Sequence, residues 1–289
     1  MPCSPTSARA SCPRVPNVND EFVLELVGVG IDRREARWLV EEFVPGGDPD
    51  AHEALRVAAT RRLNGEPLQY IIGHWPFRSL DLDVDQRALI PRPETEELVS
   101  VALRELAVAA APAPLIVDLG TGSGAIGLSL VSELWARGVA ASLIAVDESS
   151  DALALARQNA RKHRLDAVSF VQSSWFNNLD ESLRGRVDLI VANPPYVGEA
   201  EFGELDPVLR HEPHGAIVAP DASGVAGFAD LDVVIREAYA WLAPGGVLVC
   251  EHGDTHRQAL LELTVEMGYG FVEDLDDLSG RPRILVARR

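Results

Sequence analysis

The stretch Leu115-Ile116-Val117-Asp118-Leu119-Gly120-Thr121-Gly122-Ser123-Gly124 decides the fold of this chain of 289 residues. An apolar run, a glycine-rich turn and the apolar-periodic segment 125–137 predict a buried strand, a tight loop and a helix. Glycines permit backbone dihedrals and a close ligand approach that a Cβ would block. Gly122, Gly124 and Gly127 also satisfy G-x-G-x-x-G, a weak motif that is equally typical of a dinucleotide site.

A carboxylate follows the next predicted strand. The apolar run 142–146 ends at Asp147. An acid roughly 20 residues past a glycine turn is placed to bind the hydroxyls of a ribose. The alternative is a charge at the N-terminus of a helix that begins near Ser149. The glycine loop upstream favours the ribose, so the predicted ligand is a nucleoside-bearing cofactor.

A third apolar run, 187–192, ends in the tetrapeptide Asn193-Pro194-Pro195-Tyr196. Side chains just past the carboxyl end of such a strand line the ligand crevice of open α/β sheets. Two prolines fix φ and remove two amide donors, which stiffens the segment. The side-chain oxygen of Asn193 and the carbonyl of Pro194 could both accept from one planar NH2 group, as in a carboxamide or an exocyclic amine. An ordinary proline-rich turn is the alternative.

The remainder of the chain alternates strands and helices, which predicts an α/β fold with a mostly parallel sheet. Predicted helices lie at 150–164, 226–242 and 255–267, and predicted strands at 169–172, 187–192, 247–251, 271–276 and 283–287.

Taken together, these segments resemble the protein-(glutamine-N5) methyltransferases that modify peptide-chain release factors. The resemblance covers nearly everything from about Gly65 onward and includes 65–70, the glycine loop, the tetrapeptide and Glu251-His252-Gly253. Adenine-modifying nitrogen methyltransferases share the tetrapeptide and often the glycine loop. The stretch Leu89-Ile90-Pro91-Arg92-Pro93-Glu94-Thr95-Glu96 is much more specific to the glutamine enzymes.

The resemblance implies a class I methyltransferase with a Rossmann-like, mostly parallel seven-stranded sheet. It implies methyl transfer from S-adenosylmethionine to the N5 nitrogen of the glutamine in the Gly-Gly-Gln motif of class I release factors. The implied catalytic residues are Asn193, Pro194 and Tyr196, and the whole tetrapeptide, including Pro195, is implied to bind substrate. The implied cofactor-binding residues are Gly120, Thr121, Gly122, Ser123, Gly124, Asp147, Trp175 and Asn193.

Trp175 matches a family position that contacts the adenine of the cofactor. The residue before it is usually an acid in the family, whereas this chain has Ser174. Because Ser174 has no carboxylate, the hydrogen bond to the adenine amine is not implied for this chain. Stacking of Trp175 on the adenine is still implied. A tryptophan in the hydrophobic core is the alternative.

The predicted domain order has four parts. We expect residues 1–19 to be disordered, residues 20–66 to form a helical domain and residues 67–92 to form a β-hairpin linker. Residues 93–289 are the predicted methyltransferase domain. The resemblance implies substrate recognition by the helical domain.

Other polar residues have two interpretations each. Arg92 either reaches the active site or forms a salt bridge between hairpin and helix. Glu251 ends a strand near the crevice, and we favour a structural or supporting role over proton transfer for it and His252. His211 and His214 have H-x-x-H spacing, but no Cys or third His lies nearby in sequence, so no metal site is predicted.

Charge argues against a nucleic-acid substrate. The chain has 26 Lys and Arg against 44 Asp and Glu, a net charge of −18. A duplex-binding protein needs a basic footprint to neutralise phosphates.

No apolar run approaches the roughly 18 residues that a membrane span needs. Three cysteines without metal spacing indicate a reducing compartment, so we expect a cytoplasmic protein, and we expect a monomer.

Several alternatives stay open. The nearest is a sister glutamine methyltransferase that acts on a ribosomal protein. The second is an adenine-N6 methyltransferase acting on nucleic acid, which the acidic balance disfavours. The third is a non-catalytic cofactor-binding module, against which the intact tetrapeptide argues. The glycine loop by itself would also allow a dehydrogenase with a nicotinamide dinucleotide.

Overall fold

The structure is a computed structural model that describes residues 18–45, 52–109 and 111–289. The chain divides into two compact units, the first ending at Ile72 and the second spanning Gly73–Arg289. Most of the lead-in predicted at 1–19, including Cys3 and Cys12, lies outside the described residues. Within the described ranges, no helix is both long and apolar enough to cross a membrane.

The first unit is helical. Its helices are α1 (Val18–Gly28), α2 (Arg33–Phe43), α3 (His52–Leu63) and α4 (Leu68–Ile72). Asp32 caps α2, because its carboxylate accepts from the backbone nitrogens of Arg34 and Glu35 at 2.8 and 3.3 Å. The helices bury one apolar cluster, whose largest members include Phe22, Leu26, Leu39, Leu55, Leu68 and Ile71.

The first residues of the predicted β-hairpin linker, 67–92, are helical, so the prediction was wrong for residues 69–72. These residues belong to α4, where the carbonyl of Pro67 accepts from the backbone nitrogens of Tyr70 and Ile71 at 3.1 and 3.2 Å. Leu68, Tyr70 and Ile71 are buried. A short apolar run fits a buried helical turn as well as a strand, and here packing within the helical unit decided the outcome.

The predicted hairpin follows in the second unit. Strand β1 (His74–Phe77) pairs antiparallel with β2 (Leu80–Asp83), and Phe77 and Leu82 are buried. Arg78, in the turn, has a φ of 51° and makes a salt bridge with Glu133.

One sheet of seven strands forms the centre of the second unit, in the order β5-β4-β3-β6-β7-β9-β8. The four pairings from β5 to β7 are parallel, whereas β9 pairs antiparallel with both β7 and β8. This confirms the predicted α/β fold with a mostly parallel sheet. The strands are β3 (Leu115–Leu119), β4 (Ser142–Asp147), β5 (Val168–Gln172), β6 (Val187–Ala192), β7 (Leu242–Glu251), β8 (Phe271–Asp276) and β9 (Pro282–Arg288).

Helices follow the strands and cover their apolar side chains. Five of the six residues of β6 are buried, as expected for a parallel strand covered on both faces. Helix α5 packs on β7 and α6, and α9 packs on α10. The helices are α5 (Thr95–Ala109), α6 (Ala125–Ala136), α7 (Ser150–Lys162), α8 (Glu199–Phe202), α9 (Ala229–Trp241) and α10 (Arg257–Met267).

The register of three neighbouring strands positions the site. Leu119, near the end of β3, pairs with Val146 of β4 on one side and with Ala192 of β6 on the other. The next residue of each strand is therefore Gly120, Asp147 or Asn193. The strand order reverses between β3 and β6, which is where open α/β sheets bind their ligands.

Candidate active site

A cavity of about 220 Å³ opens at the carboxyl ends of these strands. Seven of the eight residues predicted to bind a cofactor line it, so the structure brings them together from four separate strand ends. They are Gly120, Thr121, Gly122, Ser123, Asp147, Trp175 and Asn193.

Gly124, the eighth predicted residue, is not part of the cavity lining. It is the cap residue of α6 and has a φ of 87°, a conformation that favours glycine. Its backbone nitrogen donates to the carbonyl of Thr121 at 2.8 Å and closes the loop. Its contribution in this structure is to turn the chain from the loop into the helix.

Asp147 organises the loop and retains acceptor capacity. One carboxylate oxygen accepts from the backbone nitrogen of Gly122 at 2.9 Å, and the other accepts from that of Ser149 at 2.9 Å. Burial raises the pKa of Asp147, and these backbone bonds favour its ionised form. An ionised carboxylate has about four acceptor sites. Two further hydroxyl hydrogens can therefore be accepted from the cavity side.

Trp175 forms a wall of the cavity. Its φ is 48°, an unusual value for a tryptophan, and its indole nitrogen donates to Asp230 at 3.1 Å. The ring lies beside Gly120, since a Cβ built on that glycine would be 3.6 Å from the ring. Ser174 also lines the cavity, and its side chain is exposed. The position suits stacking on a flat ligand.

A second cavity of about 150 Å³ meets the first at the tetrapeptide. Pro194 and Tyr196 line the second cavity, whereas Asn193 and Pro195 line both. The tetrapeptide therefore stands where two ligands could approach each other, one in each cavity.

Arg92 lines both cavities and makes a salt bridge with Glu212. The Glu212 side chain is 1% exposed and also accepts from the backbone nitrogen of Ile90 at 2.9 Å. Both interpretations of Arg92 therefore apply in part, because the residue lines the cavities and also forms a salt bridge. The partner lies in the loop after the tetrapeptide and not in a helix, and no sequence signal marked Glu212.

The histidines beside Glu212 are exposed. His211 and His214 lie in short 3-10 turns, and the ring of His214 is 3.5 Å from the carboxylate of Glu199. In the part of the chain that the structure describes, no group of three or more His, Cys, Asp or Glu side chains could hold a metal ion.

Known methyltransferases are similar to this chain in sequence. A family model described as "Methyltransferase domain" matches residues 114–271. A release factor glutamine methyltransferase of Haemophilus influenzae is 40% identical over 83% of this chain and 82% of its own length. One from Xylella fastidiosa is 36% identical over 100% of this chain and 98% of its own.

The chain belongs to the release factor glutamine methyltransferase family. Solved structures agree on the class I methyltransferase fold. A 16S rRNA N2 G1207 methyltransferase of T. Thermophilus, in complex with AdoMet and guanosine, is similar with a TM-score of 0.52 and 18% identity. The similarity covers 75% of this chain and 49% of that one, and at this identity it concerns the fold alone.

Glu251, which the family resemblance includes, lines the second cavity and is buried. The carboxylate accepts from the hydroxyls of Thr95 and Tyr196 at 2.8 and 3.4 Å. His252 is also fully buried, and its Nε2 lies 3.0 Å from Asp274. Thr95 was not predicted as a site residue, although it lies in the stretch that is most specific to this methyltransferase family.

Asp118 lies directly beneath the glycine loop and has no exposed surface. One of its oxygens accepts from the hydroxyl of Thr121 at 2.6 Å and from the backbone nitrogen of Gly127 at 3.0 Å, while the other has no partner within the described residues. Desolvation raises the pKa of Asp118 from 3.8 to about 6. Asp118 was not predicted as a site residue.

We expect Asp118→Asn to flatten the pH dependence of stability. Because the folded pKa lies above the unfolded one, Asp118 contributes stability below about pH 4 that is lost as the pH rises through about 6. The loss corresponds to about 3 kcal/mol. Urea unfolding of the ligand-free protein at several pH values measures it, with Asp166→Asn, at an exposed aspartate, as the control. A variant that keeps the wild-type slope would contradict the assignment.

Proposed function

We propose that the protein transfers a methyl group from S-adenosylmethionine to the side-chain nitrogen N5 of the glutamine in the Gly-Gly-Gln motif of class I peptide chain release factors. The observation that carries the proposal is the position of Asn193 and Pro195 in the walls of two joined cavities. The names of the relatives, which identify them as release factor glutamine methyltransferases, support the substrate.

The residues of the first cavity fit S-adenosylmethionine. Asp147 has free acceptor sites for a ribose diol, and Trp175 offers a face for stacking on adenine. The glycine loop brings backbone close to the ligand. When bound, S-adenosylmethionine supplies an electrophilic methyl group beside a sulfonium charge. Ser174 provides no carboxylate for the adenine amine, so this protein would rely on stacking at that end.

The second cavity would hold the glutamine side chain. The side-chain oxygen of Asn193 and the carbonyl of Pro194 would each accept one hydrogen of its NH2 group. The two prolines remove backbone donors that would otherwise compete for those acceptors. Tyr196 lines the same cavity and would pack against the aliphatic part of the side chain.

Positioning by these residues contributes most of the rate. An amide nitrogen is a poor nucleophile because its lone pair is delocalised, so holding it in line with the methyl group matters more than deprotonating it. Well-oriented reactants gain up to about 7 to 11 kcal/mol over free ones. The two acceptors also stabilise positive charge that develops on the nitrogen in the transition state. The proton can then leave after transfer, so no strong base is required.

Transfer of labelled methyl groups tests the proposal. Methyl-labelled S-adenosylmethionine is incubated with the protein and with a purified release factor, a factor whose Gly-Gly-Gln glutamine is replaced, ribosomal proteins or DNA. We expect label on the unaltered factor alone. Label on ribosomal proteins would establish the sister activity instead, and label on DNA would overturn the protein-substrate proposal. The net charge of −18 disfavours the last outcome.

A further inference from the structure

A chain of hydrogen bonds connects the tetrapeptide with a buried carboxylate. The side-chain nitrogen Nδ2 of Asn193 donates to Oγ1 of Thr95 at 3.3 Å, and that hydroxyl donates to Oε2 of Glu251 at 2.8 Å. Thr95 is 4% exposed and Glu251 is 3% exposed. Both side chains are therefore nearly withdrawn from solvent, and the hydrogens that they and Asn193 carry decide the direction of these bonds.

The direction follows from the number of hydrogens available. A threonine hydroxyl has one hydrogen to donate, and an ionised carboxylate can only accept. With Glu251 ionised, the hydrogen of Thr95 goes to Glu251, and the lone pairs of Thr95 face Asn193. Asn193 must present its NH2 group to Thr95, because its carbonyl would otherwise face those lone pairs. Its oxygen Oδ1 is then left to accept from another partner.

Tyr196 is held in the same way from the other side. Nη1 of Arg283 donates to the Tyr196 hydroxyl at 3.3 Å and to the carbonyl of His252 at 3.0 Å. The hydroxyl hydrogen of Tyr196 is therefore directed to Oε1 of Glu251, at 3.4 Å. Burial raises the pKa of Glu251, whereas the Thr95 hydroxyl and the Arg283 charge favour its ionised form. In the ionised form that the Thr95 hydroxyl and the Arg283 charge favour, Glu251 accepts a hydroxyl hydrogen at each oxygen.

We propose that Glu251 is a positioning residue that, through Thr95, holds the Asn193 amide with its oxygen outward and so makes the site select a carboxamide over a carboxylate. The inference rests on the proposed function, in which Oδ1 of Asn193 accepts a hydrogen of the substrate glutamine.

Glutamate has the shape of glutamine but carries an oxygen in place of the NH2 group. A carboxylate oxygen of glutamate would then face Oδ1 of Asn193, so that two acceptors meet without a hydrogen between them. Such a mismatch gives polar sites their selectivity. If the Asn193 amide were reversed, its outward NH2 group would favour glutamate. The selectivity of the site is therefore decided two side chains away from the substrate.

Thr95→Val tests the inference, because it removes the hydroxyl and nearly preserves the shape. The measured quantity is the ratio of the Ki of a release factor with glutamate in its Gly-Gly-Gln motif to the KM of the unaltered factor. We expect this ratio to fall about tenfold or more in Thr95→Val, the effect of one hydrogen bond. Thr95→Ser retains the hydroxyl and should restore most of the ratio. Glu251→Gln should also lower the ratio, because one carboxylate oxygen that accepts is replaced by an NH2 group that donates.

Thr264→Val is the matched control. Thr264 is also fully buried, but it lies in α10, and its hydroxyl donates to the carbonyl of Leu261 at 2.9 Å. This variant loses a buried hydroxyl outside both cavities and should keep the wild-type ratio. A wild-type ratio in both Thr95→Val and Glu251→Gln would overturn the inference while methylation by the wild type still supports the proposed function.

A second readout does not depend on the substrate. The NMR signals of the Asn193 side-chain NH2 group, identified by their absence in Asn193→Asp, should exchange slowly with solvent in the wild type and in Thr95→Ser. They should exchange faster in Thr95→Val, where the acceptor is gone. Equal exchange rates would overturn the inference. If the wild type labelled no release factor, the proposed function would fail, and these rates would still decide the orientation of Asn193.

Discussion

Replacing Asn193 with alanine should lower kcat/KM for methyl transfer by about 100- to 1000-fold, the usual effect of removing one group that stabilises developing charge. Asn193 directly follows β6, and its backbone position is fixed by the pairing of Ala192 with Leu119. Alanine keeps this backbone but removes the acceptor for the substrate NH2 group. Most of the loss should be in kcat, because the acceptor matters most when charge develops on the nitrogen.

Two measurements separate this effect from damage to the cofactor site. Calorimetric affinity for S-adenosylmethionine should change by less than about tenfold, since Asn193 is one of many residues in that wall. The control is Asn178→Ala, at an exposed residue whose amide donates to the carbonyl of Gln172 at 2.8 Å, and it should retain wild-type kinetics. A wild-type rate in Asn193→Ala would exclude Asn193 from catalysis and favour a different nitrogen site.

Much of the fold could be predicted because its determinants are local. The run 187–192 is apolar on both faces, and the strand occupies the same six residues in the structure. The closing strand β8 likewise coincides with the predicted 271–276. By contrast, residues 69–72 were assigned to the β-hairpin linker but are helical, since four apolar or neutral residues carry no period that distinguishes a helical turn from a strand.

The site was predictable where its residues are contiguous in sequence. The glycine loop, Asp147 and the tetrapeptide each follow a strand, and the order of the strands in the sheet brings these ends together. Long-range partners left no such signal. Glu212 reaches Arg92 across 120 positions, and Glu251 reaches Thr95 across 156. Such pairs depend on where distant loops lie relative to the sheet. Local sequence patterns do not predict those positions.

Gly227 is another residue that the sequence did not mark, and Gly227→Ala should impair both stability and activity. Its φ is 63°, and a Cβ there would lie 2.4 Å from the carbonyl oxygen of Tyr196 and 2.9 Å from the backbone nitrogen of Gly198. These are backbone atoms, so the clash cannot be relieved by rotating a side chain. The loop or the end of the tetrapeptide has to move, and a displacement near 1 Å can cost about 100-fold in rate.

Gly224→Ala separates the clash from backbone strain, because Gly224 lies in the same loop with a φ of 77° and has no atom within 4 Å of its Cβ position. Both variants should lose about 1 kcal/mol of unfolding free energy, since alanine disfavours positive φ. Gly227→Ala should lose about 1 to 3 kcal/mol more from overpacking. Urea unfolding and methyl-transfer rates, measured on both variants, decide the matter. If both lost the same stability and kept the wild-type kcat, the contact between Gly227 and Tyr196 would have no part in holding the tetrapeptide. If only Gly227→Ala lost activity, the loop after the tetrapeptide would be established as the element that fixes the position of its carboxyl end.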